Sequence, residues 1–206
     1  MIGISFNKKE FEYDAYTLVK SFYPQEEVEN FYEEDAEEKK VYDLLVRITY
    51  WEDKTHLSLE RDGEIIFGEA ARFKKWQERK ERKNILKQIL YRGLVQETGI
   101  TLPWGNLTGI RPTKIAMGLI ESGMSNAEAA DYMRRTYYTG NAKTALAVTI
   151  ANRERDLLKD IDYQNGYSLY VGIPFCPSIC LYCYFSSSPL ARWRDKVDEY
   201  LDALCR

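Results

Sequence analysis

Three of the four cysteines in this 206-residue chain, Cys176, Cys180 and Cys183, fall within eight positions in the spacing C-x3-C-x2-C. They come directly after "YSLYVGIPF", a run rich in β-formers that ends in a Pro-Phe pair and reads as a buried strand running into a loop. A fold for this chain must therefore carry three thiols at the C-terminal mouth of a strand. In a reducing compartment, clustered thiols of this kind are ligands or catalysts rather than disulfide partners.

The rest of the sequence sets bounds on what surrounds that loop. An apolar content of 45% is enough for a sizeable core. Lys plus Arg number 29 against 32 Asp plus Glu, so the net charge of −3 gives no global attraction to nucleic acid or to an anionic membrane. No run of 18 apolar residues occurs, and the start "MIGISFNKKEFEYDAYTLVK" lacks the order of a signal peptide, so the chain reads as cytoplasmic.

Residues 1–71 read as a small α+β domain. "MIGISF" is a strand, "EFEYDAYTLVKSF" a helix stopped by Pro24, "KVYDLLVRITYWED" a second strand, and "KTHLSLERDGEIIFGEA" a hairpin turning at Asp62-Gly63. Residues 72–165 read as a helical region. The basic run "RFKKWQERKERKNILKQILYR", carrying Trp76 and Tyr91, is expected to be its first helix. Pro112 opens and Gly123 closes the next, Ser125 and Glu128 form a capping box for another, and Asn141 caps the last. The fold class expected is α/β with an α+β N-terminal part.

Charge is segregated in this region. Glu26 to Glu38 holds eight acids and no base, whereas Arg72 to Arg92 holds nine bases against Glu78 and Glu81. Both stretches read as solvated faces, and the basic one is also a candidate surface for RNA phosphates or an anionic substrate. "TLPWGNLTGIRPTK" reads as a loop leading into a helix, with Arg111 and Lys114 as secondary candidates for ligand-binding cations.

The thiols are limited in the metals they can serve. A structural zinc takes four ligands; the motif offers three, the sole histidine is His56, and Cys205 lies far along the chain and reads as a packing residue. A four-iron cluster held by three cysteines leaves one iron open for a substrate or cosubstrate.

"CPSICLYC", with Tyr182 before its last cysteine, resembles the radical S-adenosylmethionine (SAM) signature. The resemblance implies that Cys176, Cys180 and Cys183 hold a [4Fe-4S] cluster whose fourth iron is chelated by SAM. Reduction would then cleave SAM to a 5'-deoxyadenosyl radical that abstracts a substrate hydrogen. "SLYVGIPFCPSICLYCYF" is similar to the oxygen-independent coproporphyrinogen III oxidase group, and "LTGIRPTK" with the long N-terminal extension resembles its HemZ-type branch. By position in that motif, Tyr170 and Tyr182 match SAM-contacting residues; no catalytic side chain is assigned.

Two positions depart from the well-characterised oxidases, which carry a fourth nearby cysteine and a histidine before Ile-Pro-Phe; here those places hold Phe185 and Gly172. HemZ-like proteins and the HemW-type heme chaperones share the Phe pattern. The resemblance implies oxidative decarboxylation of coproporphyrinogen III to protoporphyrinogen IX, with an anionic tetrapyrrole substrate and an electron donor of the flavodoxin or ferredoxin type. The alternatives are a heme-binding chaperone and an RNA-modifying radical SAM protein with an N-terminal binding module.

Residues 166–206 are expected to begin a radical SAM, partial TIM-like barrel, contributing its first β/α unit. A full β/α barrel takes roughly 200 residues or more, so the chain reads as an N-terminal piece, inactive alone. Trp193, Val197, Tyr200, Leu201 and Leu204 of its last helix would need a covering layer.

Overall fold

The computed structural model describes residues 1–35, 40–74, 78–162 and 165–206. It divides into two compact units, Met1–Asp160 and Ile161–Arg206.

The first unit is organised on a five-stranded sheet. β1 (Ile2–Phe6) leads through α1 (Glu12–Phe22) to β2 (Val28–Tyr32), and β3 (Leu44–Tyr50), β4 (Lys54–Arg61) and β5 (Glu64–Arg72) follow. The strand order is β2-β1-β3-β4-β5, with β1 parallel to both of its neighbours and β3, β4 and β5 antiparallel. All five residues of β1 are buried, as expected of a strand flanked by parallel neighbours. On β3, Leu44, Val46, Ile48 and Tyr50 are buried in strict alternation, which assigns one face to the core. The β4–β5 hairpin turns at Asp62 and Gly63, whose φ values of 52° and 82° are the left-handed pair that such a turn requires.

α1 turns Ala15, Leu18, Val19 and Phe22 inward. α2 (Arg79–Thr98) adds Leu86, Ile89, Leu90 and Leu94 to the same core, so it covers the sheet rather than starting a separate helical layer. The helix also begins later than expected: Arg72 ends β5, and Phe73 still donates to the Asp53 carbonyl. Pairing with β4 out to Lys54 holds the first bases of the run in the hairpin. Trp76, with Lys75, lies outside the described residues.

β2 was not anticipated. Its acidic sequence hides a strand whose only ladder partner among the described strands is β1 and none of whose residues is fully buried.

A second core lies among α3 (Thr113–Glu121), α4 (Asn126–Tyr137) and α5 (Asn141–Leu158), built from Ala116, Met117, Ile120, Ala129, Met133, Ala147 and Ala151. The Ser125–Glu128 capping box forms, and Gly123 takes φ 99° after α3. Asn141 does not cap α5. Gly140 occupies that position, and its N–H donates to the Pro103 carbonyl at 3.0 Å. The 102–107 loop and the α4–α5 junction are thus bonded together: Asn106 N–H donates to the Tyr137 carbonyl at 2.9 Å. At Gly105 (φ 57°) an added Cβ would lie 2.0 Å from that same oxygen.

The second unit contains β6 (Phe175–Cys176), β7 (Ser188–Pro189), α6 (Leu190–Trp193) and α7 (Val197–Leu204). The strand expected over "YSLYVGIPF" is present only at its end: residues 168–174 have no regular secondary structure and no ladder partner among the described residues, and Leu169, Tyr170, Val171 and Ile173 are exposed. Its β-propensity is unrealised because a strand of this kind is stabilised by its neighbours. The single helix expected after the cysteines is broken by a 3-10 turn at Arg194–Lys196. None of the described residues of this unit is buried.

Gly105→Ala is expected to lower the stability of the first unit by about 3 kcal/mol or more, because the new methyl meets backbone and the φ is unfavourable for alanine. Gly109→Ala, where nothing lies within 4 Å of the added carbon, is the control, with a change of at most about 0.5 kcal/mol. Urea denaturation of both variants checks this.

Candidate metal-binding loop

The cysteine loop is closed at its base. Phe175 pairs with Ser188 and Cys176 with Pro189 in a short parallel bridge, and Ser188 N–H donates to the Pro174 carbonyl at 2.7 Å. Prolines stiffen this base: Pro177 restricts Cys176 to extended backbone, and Pro174 does the same to Ile173. The Phe175 ring meets the Tyr200 ring of α7 edge-on, with centroids 5.2 Å apart, and the Tyr200 hydroxyl donates to the Gly172 carbonyl at 2.7 Å. Tyr200 therefore brackets the entry to the loop, a role that its place in an apolar helix pattern did not signal.

Within the loop, Cys183 N–H donates to the Cys180 carbonyl at 2.9 Å, a one-turn closure that the two-residue spacing permits. The Cys183 Sγ lies 3.7 Å from the Phe185 carbonyl oxygen and 3.9 Å from Ser187 Oγ. All four cysteines are free thiols; Cys176 is half-buried, and Cys180, Cys183 and Cys205 are exposed. Cys205, expected to pack, is exposed because no layer among the described residues covers the end of α7.

Tyr170 and Tyr182 are 82% and 89% exposed, so neither serves as a core residue in this unit. Gly172 follows closely on Tyr170: an added Cβ would stand 3.2 Å from the Tyr170 ring. A larger residue at 172 would press on that aromatic.

The donor set fits a thiolate-held cluster: three unpaired, accessible sulfurs on one short loop with a fixed base. The side chains do not converge. Among the described residues, no group of three or more His, Cys, Asp or Glu side chains is disposed to hold a metal ion. His56, the one histidine, sits mid-strand in β4 opposite Thr49 and Ala70.

The other charged candidates are largely matched by carboxylates. Arg82 pairs with Glu10 at 3.5 Å, Lys83 with Asp14 at 3.6 Å, and Arg92 with Glu69. Arg111 reaches Glu154 at 3.5 Å, and Lys114 is exposed. Lys87 is buried, its ammonium 3.0 Å from Thr108 Oγ1, and burial holds its pKa below the usual lysine value. That bond anchors the start of "TGIRPTK" to α2. On the acidic side, Glu29 and Glu33 are engaged by Lys40 and Arg47; Glu37 and Glu38 lie outside the described residues. No helix among the described residues is long and apolar enough to cross a membrane.

Over 123 residues, 59% of its length, the chain is 35% identical to the oxygen-independent coproporphyrinogen-III oxidase-like protein HemZ of Bacillus subtilis (strain 168). The match spans 25% of that protein, so the chain corresponds to about a quarter of its relative. No family model matches the chain, and no solved structure matches it.

The burial differences predict an order of thiol reactivity. In the metal-free protein, a thiol-specific reagent followed by peptide mapping should label Cys180, Cys183 and Cys205 before Cys176. Labelling of Cys176 first would contradict the loop geometry.

Proposed function

We propose, from its 35% identity over 123 residues to an oxygen-independent coproporphyrinogen-III oxidase-like protein, that the chain belongs to the HemZ-type group and supplies the cluster-binding loop of a radical SAM oxidoreductase acting on coproporphyrinogen. The observation that carries this reading is the loop itself. Three free thiols stand within eight residues on a segment closed by the Ser188–Pro174 bond and bracketed by Tyr200.

Cys176, Cys180 and Cys183 would hold a [4Fe-4S] cluster. When bound, that cluster supplies an open iron for SAM and the electron for its reductive cleavage. The chain's own contribution would be to hold three sulfurs on one short loop and to leave Tyr170 and Tyr182 exposed, available to pack on SAM. Residues 166–206 are then the first β/α unit of the barrel, whose completed wall excludes water from the reacting centre.

In this reading the substrate is the anionic tetrapyrrole coproporphyrinogen III. Two of its propionate side chains would become vinyl groups, each giving a β-hydrogen atom to the 5'-deoxyadenosyl radical, CO2 as leaving group and one electron to a one-electron acceptor, a step of heme biosynthesis. Electrons come from a donor of the flavodoxin or ferredoxin type.

Anaerobic reconstitution with iron and sulfide tests the ligand set. The wild-type protein should take up about four irons per chain; Cys176→Ala, Cys180→Ala and Cys183→Ala should each lose most of that iron, and Cys205→Ala should retain it. Full iron content in any of the first three variants would overturn the assignment.

A further inference from the structure

We propose that the first unit carries, independently of the cysteine loop, a binding cleft for an uncharged planar ring with a hydrogen-bond donor and acceptor on its edge. The cleft has a volume of about 570 Å³, in the range of small-ligand pockets. It is lined by Tyr91, Arg92 and Val95 of α2 together with Leu102, Pro103 and Tyr138.

Its lining selects a flat ligand. Tyr91 and Tyr138 stack with centroids 5.4 Å apart and planes inclined by 23°. Tyr91 is buried, whereas Tyr138 is only partly covered and offers ring surface to the cleft. An aromatic platform of this kind accepts another ring by offset stacking.

The lining also selects against charge. Arg92 is met by Glu69 through two bonds, Nε to Oε2 at 3.1 Å and Nη2 to Oε1 at 2.5 Å, and its Nη1 donates to the Tyr138 hydroxyl. The guanidinium is already neutralised, so an anionic ligand would find no free cation here and would meet the Glu69 carboxylate nearby.

Two of the polar groups in the lining suit an amide edge. Leu102 N–H donates to the Tyr91 hydroxyl oxygen at 3.1 Å, which leaves that hydroxyl's proton to donate elsewhere. Gln96, also in the lining, gives its amide N–H to the Ile66 carbonyl at 3.2 Å, which leaves its Oε1 as an acceptor. A ring amide, with N–H and C=O side by side, complements this pair.

The walls are built in advance. Gly140 N–H donates to the Pro103 carbonyl at 3.0 Å, and the close approach at Gly105 leaves no freedom between the two loops. Tyr138 itself sits at φ 57°, after a helix end where glycine or asparagine is usual. A bulky aromatic is kept in an unfavourable conformation at the one place where its ring lines the cleft.

The test is a titration of the 15N-labelled 206-residue chain with quinolin-2-one, a neutral two-ring amide, followed by backbone amide shifts. Saturable changes confined to residues 91–103 and 138–140 are expected. Gln96→Trp, which fills the cleft from an exposed helix position, and Tyr138→Asn, which removes the ring but tolerates the backbone, should each weaken binding about tenfold. Quinoline-2-carboxylate should bind more weakly than the neutral amide. The proposal is overturned if shifts up to the solubility limit occur only among the exposed apolar residues 167–185, if Gln96→Trp leaves the affinity unchanged, or if the carboxylate binds more tightly.

Discussion

At Gly105 the chain passes so close to the end of α4 that an added methyl would lie 2.0 Å from the Tyr137 carbonyl oxygen and 2.5 Å from the Tyr138 carbonyl carbon. Much of the first unit depends on that approach. It holds the 102–107 loop against the α4–α5 junction, where Asn106, Gly140 and Gln88 complete the backbone hydrogen bonding of the two segments. Because α2 contributes both Gln88 to this junction and Leu86, Ile89, Leu90 and Leu94 to the sheet, the junction couples two hydrophobic cores that share no residue among those described. The stacked Tyr91–Tyr138 pair, one ring from each side, is a direct product of that coupling.

Legibility in the sequence followed the range of the forces involved. Asp62-Gly63, the Ser125–Glu128 box and Gly123 are local devices, satisfied within a few residues, and each is readable without knowledge of the rest. β2 was hidden because its acidic residues look like a solvated run, and only pairing with β1 makes it a strand. The start of α2 was misplaced for the same reason: the hairpin claims the chain through Arg72. Asn141 lost the cap to Gly140 because a bond to Pro103, distant in sequence, decided the matter.

The cysteine loop shows the same division in sharper form. Its spacing, its prolines and its aromatic neighbours were all visible in sequence. The bracket by Tyr200 was not visible, since it depends on how α7 folds back on Gly172. The strand before the loop stays largely unpaired, Tyr170, Tyr182, Tyr184 and Phe185 are exposed, and among the described residues the sulfurs do not converge. Binding of a cluster would supply the convergence, because metal–thiolate bonds are strong enough to order a loop of this size.

Electron paramagnetic resonance of the anaerobically reconstituted, reduced protein, recorded with and without SAM, tests this account most directly. A [4Fe-4S] signal that shifts when SAM is added is the predicted result, because three cysteines leave one iron open. Zinc in place of iron, or a cluster signal indifferent to SAM, would contradict it.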